Sequence, residues 1–389
     1  MSIVNLGTFP PKQCGIATFS KDLKNSLEIN GEKVQIIAIS DSNYNYNYGE
    51  EVIFNIKQQQ KTDYQQAALL INNTPDIELV IVQHEYGIYG GESGNYILNF
   101  TENLNKPYIV VTHTVLPRPQ KRQLNTLQKL CSRAEGVVCM TEHSAHLLTR
   151  LYKVNPDKIK VISHGVPPFK KENPEILKAK YGLTGYQIIS TFGLIGPGKG
   201  LELGIRAMSE VVKEYPGTKY LILGQTHPML KSREGEKYRE MLIHLIKELN
   251  LENHVQFVNK FLSDEELGEY LYLTDIYLSP YPNKDQAVSG TLTFAIGCGR
   301  AIVSTSYTYA LEVLKNERGL LASKADPHEL ACLIKMILGS RELKEKLQSR
   351  AYELGQKWSW PSIGQEYTCF IRKIIQNSKG EQKLNYAGL

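Results

Sequence analysis

No apolar run in the sequence approaches the ~20 residues that a membrane-spanning helix requires, so we expect no transmembrane segment. The first residues show no basic stretch followed by an apolar one, so we expect no signal peptide either. Cysteine is sparse: the six cysteines are scattered, with no Cys-x-x-Cys pair. This pattern argues against a disulfide scaffold or a thiolate metal site, and it favours free thiols in a reducing, cytoplasmic compartment.

A large charge of one sign is also absent. Lys and Arg number 45 against 40 Asp and Glu, so the net charge is only +5. An excess this small over 389 residues does not indicate nucleic-acid binding. The composition, 42% apolar and 22% charged, is that of a globular protein and excludes a mostly disordered chain. At about 100–200 residues per domain, the length predicts two domains.

Short runs rich in β-branched residues recur along the chain, each separated from the next by a stretch long enough for a helix. Most of them are apolar almost throughout, as strands buried on both faces of a parallel sheet should be. The runs are residues 2–6, 34–39, 79–83, 108–112, 137–140 and 160–163, and then 187–192, 220–223, 255–258, 276–279 and 301–304. This alternation predicts an α/β protein with two doubly wound, Rossmann-like domains.

Glycine and proline mark the boundary between the two predicted domains. His164-Gly165-Val166-Pro167-Pro168 follows a strand-like run and precedes a charged stretch, which is typical of an interdomain linker. We therefore place an N-terminal domain at 1–167 and a C-terminal domain at 168–357. A helical segment at 358–377 follows, and the polar residues 378–389 are expected to form a flexible tail.

The segment 193–200 carries the most informative motif, because it leaves a predicted strand and opens a helix. It holds glycines at 193, 196, 198 and 200, and a single lysine, Lys199. Backbone N–H groups, a helix N-terminus and an ammonium together suit a bound phosphate. The segment is not a Walker A loop, because Gly200 follows Lys199 where a Ser or Thr would hold Mg²⁺, and its glycine order differs from the dinucleotide fingerprint.

Two further strand-to-helix junctions have the same character. Gly15 lies after the first strand, just before a helix begins, and Ser289, Gly290 and Thr291 open a helix after the run at 276–279. Either could hold an anion or a sugar hydroxyl, although a tight turn at Gly15 and an ordinary N-cap at Ser289 explain the residues equally well. Three such junctions divided between two domains indicate one ligand in a cleft between them.

Polar residues also follow two strands of the N-terminal domain. His84 and Glu85 follow the run at 79–83, and His113 follows the run at 108–112. The carboxyl ends of parallel strands form the ligand-binding edge of a sheet, so we expect these side chains at the cleft rim, in reach of substrate. Position 88 is Ile88, which leaves no His-Glu-x-x-His zinc motif and favours hydrogen bonding over metal binding. For His164 we expect a structural hydrogen bond to the backbone.

Taken together, these motifs resemble those of retaining nucleotide-sugar glycosyltransferases with the GT-B fold, and most closely glycosyltransferase family 4 (group 1). The resemblance runs through nearly the whole chain. Cys14-Gly15-Ile16 resembles the family's first glycine loop, His113 its N-domain histidine, and residues 193–200 its Gly-Arg-Leu-x-x-Glu-Lys-Gly motif. Further similar segments are residues 164–166, 299–304, 316–320 with Glu312, and 358–360.

The resemblance implies two Rossmann-like domains facing a central cleft, with the acceptor on the N-terminal domain and the donor on the C-terminal one. The aromatic tail at 358–360 would begin a helix that crosses back to the N-terminal domain. His113, Lys199 and Gln286 would take part in catalysis, and His84, Glu85 and Arg118 would contact substrate. The implied donor-binding residues are Gly15, Gly193, Gly196, Gly198, Lys199, Ser289, Gly290, Thr291 and Glu312.

Two positions depart from the family pattern. The arginine that normally partners the motif lysine on the diphosphate is Leu194 here, and a charge-assisted hydrogen bond of about 1.5–3 kcal/mol needs another source. The family's paired glutamates align with Gln286, which can still bind sugar hydroxyls, and with Phe294, which cannot bind ribose. The replacement cations that the sequence offers are Arg118, Lys121, Arg122 and Lys284.

By the resemblance, the reaction moves a hexosyl unit from a nucleotide sugar to a saccharide or glycoconjugate hydroxyl with retention of anomeric configuration. The donor's own phosphate would assist the incoming hydroxyl, and Lys199, the Gly15 loop and the helix start at Ser289 would stabilise the charge on the leaving phosphate. We expect no metal and no cofactor, in keeping with the lack of an Asp-x-Asp motif.

Two other functions remain open at this point. A GT-B glycoside phosphorylase using inorganic phosphate or a sugar 1-phosphate would not need the missing ribose-binding glutamate. A non-catalytic sugar- or nucleotide-binding module would fit the changes at Leu194 and Gln286, although Lys199, Gly15 and His113 argue against it.

A predicted basic helix around 118–133 bears on the acceptor. It could lie on an anionic membrane, but a sheet-packed helix with a solvated basic face is the favoured interpretation. A soluble saccharide acceptor is therefore expected, and nothing in the sequence specifies an oligomeric state.

Overall fold

Two parallel β-sheets, each with its own buried core, organise the chain. The computed structural model describes residues 1–41 and 45–387, with side chains as far as residue 378. The chain divides into unit 1, formed by Met1–Gly165 with Trp360–Leu389, and unit 2, formed by Val166–Ser359. The prediction of an α/β protein with two Rossmann-like domains is confirmed.

Unit 1 contains a seven-stranded sheet in the order β3-β2-β1-β4-β5-β6-β7, and every neighbouring pair is parallel. Its strands are β1 (Ser2–Gly7), β2 (Lys33–Ser40), β3 (Val52–Lys57), β4 (Ile77–His84), β5 (Tyr108–Thr112), β6 (Gly136–Cys139) and β7 (Ile159–Val161). Its helices before Gly165 are α1 (Gly15–Ile29), α2 (Lys61–Asn72), α3 (Ile97–Thr101), α4 (Lys121–Ser132) and α5 (Glu142–Arg150).

Unit 2 contains a six-stranded parallel sheet in the order β10-β9-β8-β11-β12-β13. Its strands are β8 (Gln187–Phe192), β9 (Thr218–Leu223), β10 (Val255–Val258), β11 (Ile276–Ser279), β12 (Ala301–Thr305) and β13 (Leu320–Ala322). Its helices are α6 (Pro174–Lys180), α7 (Leu201–Glu214), α8 (Pro228–Glu234), α9 (Lys237–Glu248), α10 (Asp264–Leu273), α11 (Gly290–Gly297), α12 (Thr308–Val313), α13 (Pro327–Leu338) and α14 (Arg341–Gly355).

Local sequence signals explain where many helices begin. Asn173 and Asp326 accept a backbone N–H with their side chains, and each is followed by proline at the first helical position. Ser263 and Glu266 form a reciprocal capping box at α10. Such caps satisfy N–H groups that have no partner within the helix, typically worth about 1 kcal/mol each. In α4, Leu127 and Leu130 are buried, while Lys121 and Lys129 are exposed, so the basic face is the solvated side of a packed helix.

The last helix, α15 (Trp360–Ala387), belongs to unit 1 and packs on α1. The Ser26 hydroxyl donates to the carbonyl of Trp360, and Arg372 pairs with the buried carboxylate of Glu32 at 2.7 Å. The indole of Trp360 covers Gly165, where a β-carbon would collide with the ring. The segment 378–389, expected to be a flexible tail, is helical as far as Ala387, and its last two residues lie outside the described part.

The strands predicted from apolar runs are confirmed, and the bounds of β5, β8, β10 and β11 agree to the residue. Two strands were missed, β3 and β13. Exposed Asn55 interrupts the apolar residues of β3, and β13 is only three residues long, so neither forms a continuous apolar run like those of the central strands. Among the described residues, no helix is both long and apolar enough to cross a bilayer.

Each sheet has a switch point, where two neighbouring strands send their connections to opposite faces of the sheet. In unit 1 this point lies between β1 and β4, and in unit 2 between β8 and β11. Loops at the carboxyl ends of such strands splay apart and leave a crevice, which is where open α/β sheets bind ligands. The segments singled out in the sequence, those after β1, β4, β8 and β11, lie at these two points.

Candidate functional site

The glycine-rich loop after β8 is held against the loop after β9. Ile195 donates its N–H to the carbonyl of Gln225 at 2.8 Å, and His227 donates to the carbonyl of Ile195 at 2.9 Å. Gly193 has φ of 121°, and Gly200 has φ of 60°, both in a region that side chains disfavour. A β-carbon at Gly200 would also collide with the carbonyl of Pro280, so glycine is required there by the fold itself.

Lys199 ends the short 3₁₀ turn that follows this loop, and it points to the segment after β11. Its Nζ donates to the hydroxyl of Tyr281 at 2.5 Å, and that hydroxyl contacts Thr291 Oγ1 at 2.7 Å. Thr291 Oγ1 in turn lies 3.1 Å from Ser289 Oγ. Lys199, Thr291 and Ser289, predicted separately from two motifs, are therefore brought together, and Tyr281 joins them.

Electrostatics couple Tyr281 to Lys199. Burial pushes the pKa of the Tyr281 hydroxyl upward, but the adjacent Lys199 ammonium and neighbouring hydroxyl groups outweigh this and bring the pKa below its ordinary value. The result is a half-buried cation beside a row of hydroxyl groups, which can stabilise an anion.

The two helix starts at this switch point differ in what they offer. Ser289 caps α11 by accepting from the N–H of Leu292 at 3.3 Å, so it has a structural role. At α7, the first N–H, that of Leu201, donates to Tyr238 OH at 3.3 Å. Tyr238 thus occupies one of the N–H groups at the α7 start, and phosphate binding there stays a prediction.

The loop that carries Gln286 is bonded through the backbone to the helix that carries Glu312. The carbonyl of Gln286 accepts from Tyr309 N at 3.1 Å, so the loop of Gln286 holds the start of the helix that carries Glu312. The Gln286 amide donates to the carbonyl of Val288 at 2.8 Å. Both side chains are half-buried.

Phe294 is a core residue. It is 8% exposed and packs against Phe169 and Phe192, with ring centroids 5.6 Å and 6.0 Å away. The position that would hold a ribose-binding glutamate in the related family therefore fills the interior of unit 2.

The cations predicted to replace the arginine at Leu194 are divided between the two units. Arg118, Lys121 and Arg122 lie in unit 1, where all three are exposed and Arg122 is paired with Glu92. Lys284 lies in unit 2 on the loop after β11, with an exposed side chain.

Two residues beside the glycine-rich loop were missed. His227 Nδ1 accepts from Met229 N at 3.2 Å, which leaves the proton on Nε2, and burial together with nearby Lys199 lowers the pKa of this imidazole. Arg239 is buried, pairs with Glu236 at 3.2 Å and reaches the carbonyl of Gly224 at 3.4 Å. His227-Pro228 after a strand is a helix-start signal that could have drawn attention to this loop.

In unit 1, the loop after β1 is tied down at Cys14. The Cys14 thiol accepts from Ala17 N at 3.4 Å and contacts Thr8 Oγ1 at 3.2 Å, so it caps α1. Gly15 occupies the first helical position, and a β-carbon there would meet nothing within 4 Å. The space around Gly15 is open, so no described contact requires a glycine there.

His113 follows β5 and is half-buried. Its Nε2 lies 2.8 Å from Gln83 Oε1, and its ring packs edge-to-face with Phe19, with ring centroids 4.8 Å apart. Burial lowers the pKa of His113 to about 3, with further contributions from His164 and His84. The imidazole is therefore neutral near pH 7. His164 donates from Nδ1 to the carbonyl of Gly165 at 2.8 Å, the backbone bond expected from the sequence.

His84 does not lie at an exposed rim, and that prediction is wrong. It is 1% exposed, its ring packs edge-on against Tyr86, and neither ring nitrogen has a partner among the described residues. Burial lowers its pKa to about 3. Glu85, the next residue, is half-buried and accepts from Thr114 Oγ1, and burial raises the pKa of its carboxyl group.

No group of three or more His, Cys, Asp or Glu side chains in the described parts of the chain could hold a metal ion. The polar side chains described above are instead hydroxyl groups, imidazoles, amides, the carboxyl group of Glu85 and the ammonium of Lys199.

Two family models match this chain. The model "Glycosyl transferases group 1" covers residues 174–354, and the model "Glycosyltransferase Family 4" covers residues 14–168. Among curated relatives, D-inositol 3-phosphate glycosyltransferase of Rhodococcus erythropolis is 24% identical over 265 residues, covering 67% of this chain. The match spans 58% of that relative, and 54% of the Nocardioides protein of the same name at 23% identity, so this chain matches less than two thirds of their length.

Solved structures show the same fold. Sucrose-phosphate synthase from Thermosynechococcus elongatus superimposes with a TM-score of 0.80 at 17% identity, over 97% of this chain and 100% of that one. Anabaena HepE in complex with UDP superimposes with a TM-score of 0.76 at 15% identity, over 96% of this chain and 100% of that one. WaaG, a glycosyltransferase involved in lipopolysaccharide biosynthesis, has a TM-score of 0.68 at 14% identity, over 94% of this chain and 98% of that one. The chain has the GT-B fold and belongs to the group 1 glycosyltransferases, similar to glycosyltransferase family 4.

Proposed function

We propose that this protein transfers a hexosyl unit from a nucleotide sugar to a saccharide or glycoconjugate hydroxyl, with retention of the anomeric configuration. The observation that carries the proposal is the contact of Lys199 with Tyr281, whose hydroxyl in turn contacts Thr291, at the switch point of unit 2. A cation and hydroxyl groups at that place suit the diphosphate of a donor. Structural neighbours crystallised with UDP or UDP-glucose support this choice of ligand.

In the proposed reaction, the bond between the anomeric carbon and the phosphate oxygen breaks while the acceptor oxygen attacks from the same face. The acceptor proton passes to the leaving phosphate oxygen, so atoms and charges balance. The Lys199 ammonium stabilises the negative charge that develops on the leaving group, a preorganised interaction that strengthens as the bond breaks. His113 and Gln286 are assigned hydrogen bonds to sugar hydroxyls. The proposal requires neither a metal ion nor a cofactor.

A panel of ligands tests the proposal by thermal shift, with UDP, GDP, ADP, inorganic phosphate and sugar 1-phosphates. A ligand at a hundredfold excess over its Kd stabilises the folded protein by about 2.7 kcal/mol. We expect one nucleoside diphosphate to raise the melting temperature selectively. Turnover with the matching nucleotide sugar should then release that diphosphate, and NMR of the product should show retained configuration. Inversion, or binding without turnover over a wide acceptor panel, would contradict the proposal.

A second candidate, a GT-B glycoside phosphorylase, is favoured by Phe294, whose core position leaves no carboxylate there for a ribose. Phosphate-dependent cleavage of a disaccharide, with a thermal shift from phosphate or a sugar 1-phosphate alone, would establish it. A selective shift with a nucleoside diphosphate would exclude it.

Gly15 offers a test of the loop after β1. We expect Gly15→Ala to leave the melting temperature unchanged or slightly raised, because the added methyl group meets no atom within 4 Å and alanine favours a helix. If substrate approaches the backbone closely, the same methyl group will lower kcat/KM, by about tenfold for a steric cost near 1.4 kcal/mol. Kinetics alongside differential scanning fluorimetry separate the two effects. Unchanged kinetics would remove Gly15 from the site.

A further inference from the structure

Two fully buried amides lie in the central strands of unit 1, where apolar side chains are the rule. Asn5 on β1 is 1% exposed, and Gln83 on the adjacent strand β4 is 0% exposed. Burying an amide is unfavourable unless its hydrogen bonds are satisfied. Gly7 makes room for Gln83, since a β-carbon at Gly7 would stand 2.9 Å from the β-carbon of Gln83. The local structure thus leaves space for a buried pair of amide side chains that apolar packing alone does not require.

These amides form a chain of hydrogen bonds, and a backbone carbonyl at its end determines which group donates in each bond. The carbonyl of Ser20 can only accept, so the group of Asn5 that faces it at 3.4 Å is the NH₂ group. Asn5 Oδ1 therefore accepts, and Gln83 Nε2 donates to it at 2.9 Å. This orientation leaves Gln83 Oε1 facing His113 Nε2 at 2.8 Å. An amide oxygen has no proton to give, so His113 is the donor and carries its proton on Nε2.

We propose that Ser20, Asn5 and Gln83 form a one-directional hydrogen-bond relay that keeps the proton of His113 on Nε2. The imidazole then presents a lone pair at Nδ1, and it recognises a substrate hydroxyl as a hydrogen-bond acceptor. Gln83 and Asn5 are positioning residues in this arrangement, because they act on substrate only through His113.

The surroundings of His113 keep it in this form. Phe19 packs edge-on against the ring, and burial disfavours a positive charge on His113, with smaller contributions from His164 after β7 and His84 on β4. No described residue hydrogen-bonds to Nδ1, and the side chain is half-buried rather than enclosed. The unprotonated Nδ1 cannot donate a hydrogen bond to a phosphate, so the relay restricts this atom of His113 to partners that donate one. Sugar hydroxyls are such groups, and this part of the inference rests on the proposed function.

Nitrogen-15 NMR of histidine-labelled protein tests the relay without any substrate. Protonated and lone-pair nitrogens have well separated shifts, and a His113→Gln variant assigns the His113 signals. Between pH 5 and 8 we expect His113 to stay neutral with the proton on Nε2. His164 serves as an internal control, because its bond to Gly165 O fixes the opposite form, with the proton on Nδ1. A proton on Nδ1 of His113, or titration near pH 6.5, would overturn the relay.

Two substitutions at Gln83 separate the relay from simple packing. In Gln83→Met, which preserves side-chain length, we expect the His113 nitrogen shifts to move toward each other as the second tautomer becomes populated. In Gln83→Glu, a carboxylate faces Nε2, so the imidazolium form is stabilised and the pKa of His113 should rise into the range between pH 5 and 8. The His164 signals should stay unchanged in both variants. If they move as well, the fold has changed, and Asn5→Asp provides an independent perturbation of the relay.

Kinetics test the substrate half of the inference. In Gln83→Glu we expect kcat/KM to acquire an acid limb at the new pKa of His113, with a loss of about 3- to 10-fold below it, the value of one neutral hydrogen bond. The wild type should lack that limb. NMR results as expected, combined with an unchanged pH profile, would overturn hydroxyl recognition. Absence of any turnover in the wild type would instead reject the proposed function while the NMR still decides the relay.

Discussion

Replacing Lys199 by methionine is expected to lower kcat/KM by about 10²- to 10³-fold, the usual cost of removing one preorganised group that stabilises developing negative charge. Lys199 Nζ already lies 2.5 Å from Tyr281 OH and is half-buried, so its position is set before any ligand binds. Methionine keeps most of the side-chain volume and removes the charge. Steady-state kinetics with the donor identified by thermal shift measure the effect.

The stability of the Lys199→Met variant should remain close to that of the wild type, while its thermal shift with the nucleoside diphosphate should disappear. Lys335→Met is the matched control, because Lys335 lies on α13 in the same unit and pairs with Glu214 on the surface at 2.6 Å. A surface pair of this kind contributes about 0–1 kcal/mol. Equal activity of the two variants would remove Lys199 from the proposed mechanism.

Acid is expected to unfold unit 1 well before carboxylate titration is complete. Burial lowers the pKa of His84 and His113 to about 3 and that of His164 to about 4, whereas each has an ordinary value of 6.5. Between those limits the unfolded chain binds more protons than the folded one. The free energy of unfolding therefore falls as the pH drops below 6.5, by about 1.4 kcal/mol per pH unit for each histidine.

Three histidines together give a slope of up to about 4 kcal/mol per pH unit. Urea unfolding at pH 7.5, 6.5, 5.5 and 4.5 measures it. Because the two units need not unfold together, a local reporter is needed. Of the two tryptophans, Trp360 is buried in unit 1 and Trp358 lies in unit 2, so a Trp358→Phe background makes fluorescence specific for unit 1.

His84→Leu should reduce that slope by about 1.4 kcal/mol per pH unit, the contribution of one histidine. It should also raise the free energy of unfolding near pH 5, because it removes two buried nitrogens that lack partners among the described residues. If the urea concentration at the midpoint of unfolding does not change between pH 6.5 and pH 4.5, these histidines do not remain neutral in the folded state.

The fold could be predicted from the sequence because buried parallel strands have a simple signature. Tyr108–Thr112 and Gln187–Phe192 are apolar nearly throughout, and their bounds agree with β5 and β8. The same signature misses β3, where Ile53 and Phe54 at a sheet edge are only half-buried. Exposed Asn55 then interrupts the apolar residues of this strand.

The candidate site was predictable only as separate motifs. The sequence marks Lys199 and Thr291, but Tyr281 joins them because the carboxyl ends of β8 and β11 are neighbours, which follows from strand order rather than from local spacing. His84 illustrates the opposite error. Its position after a strand is that of a binding residue, yet packing by Tyr86 encloses it, and exposure cannot be deduced from position along the chain.

Unit 1 is assembled from both parts of the chain, since α15 packs on α1 and Trp360 covers Gly165. During synthesis, the ribosome therefore releases the whole of unit 2 before the helix that completes unit 1. Until then the first sheet exposes the apolar surface that α15 buries, including the contact of Gly136 with Phe370 and Ile374. Unit 2 can form its core from one continuous stretch, whereas unit 1 must wait, so the newly made N-terminal half is where chaperone protection would be needed most.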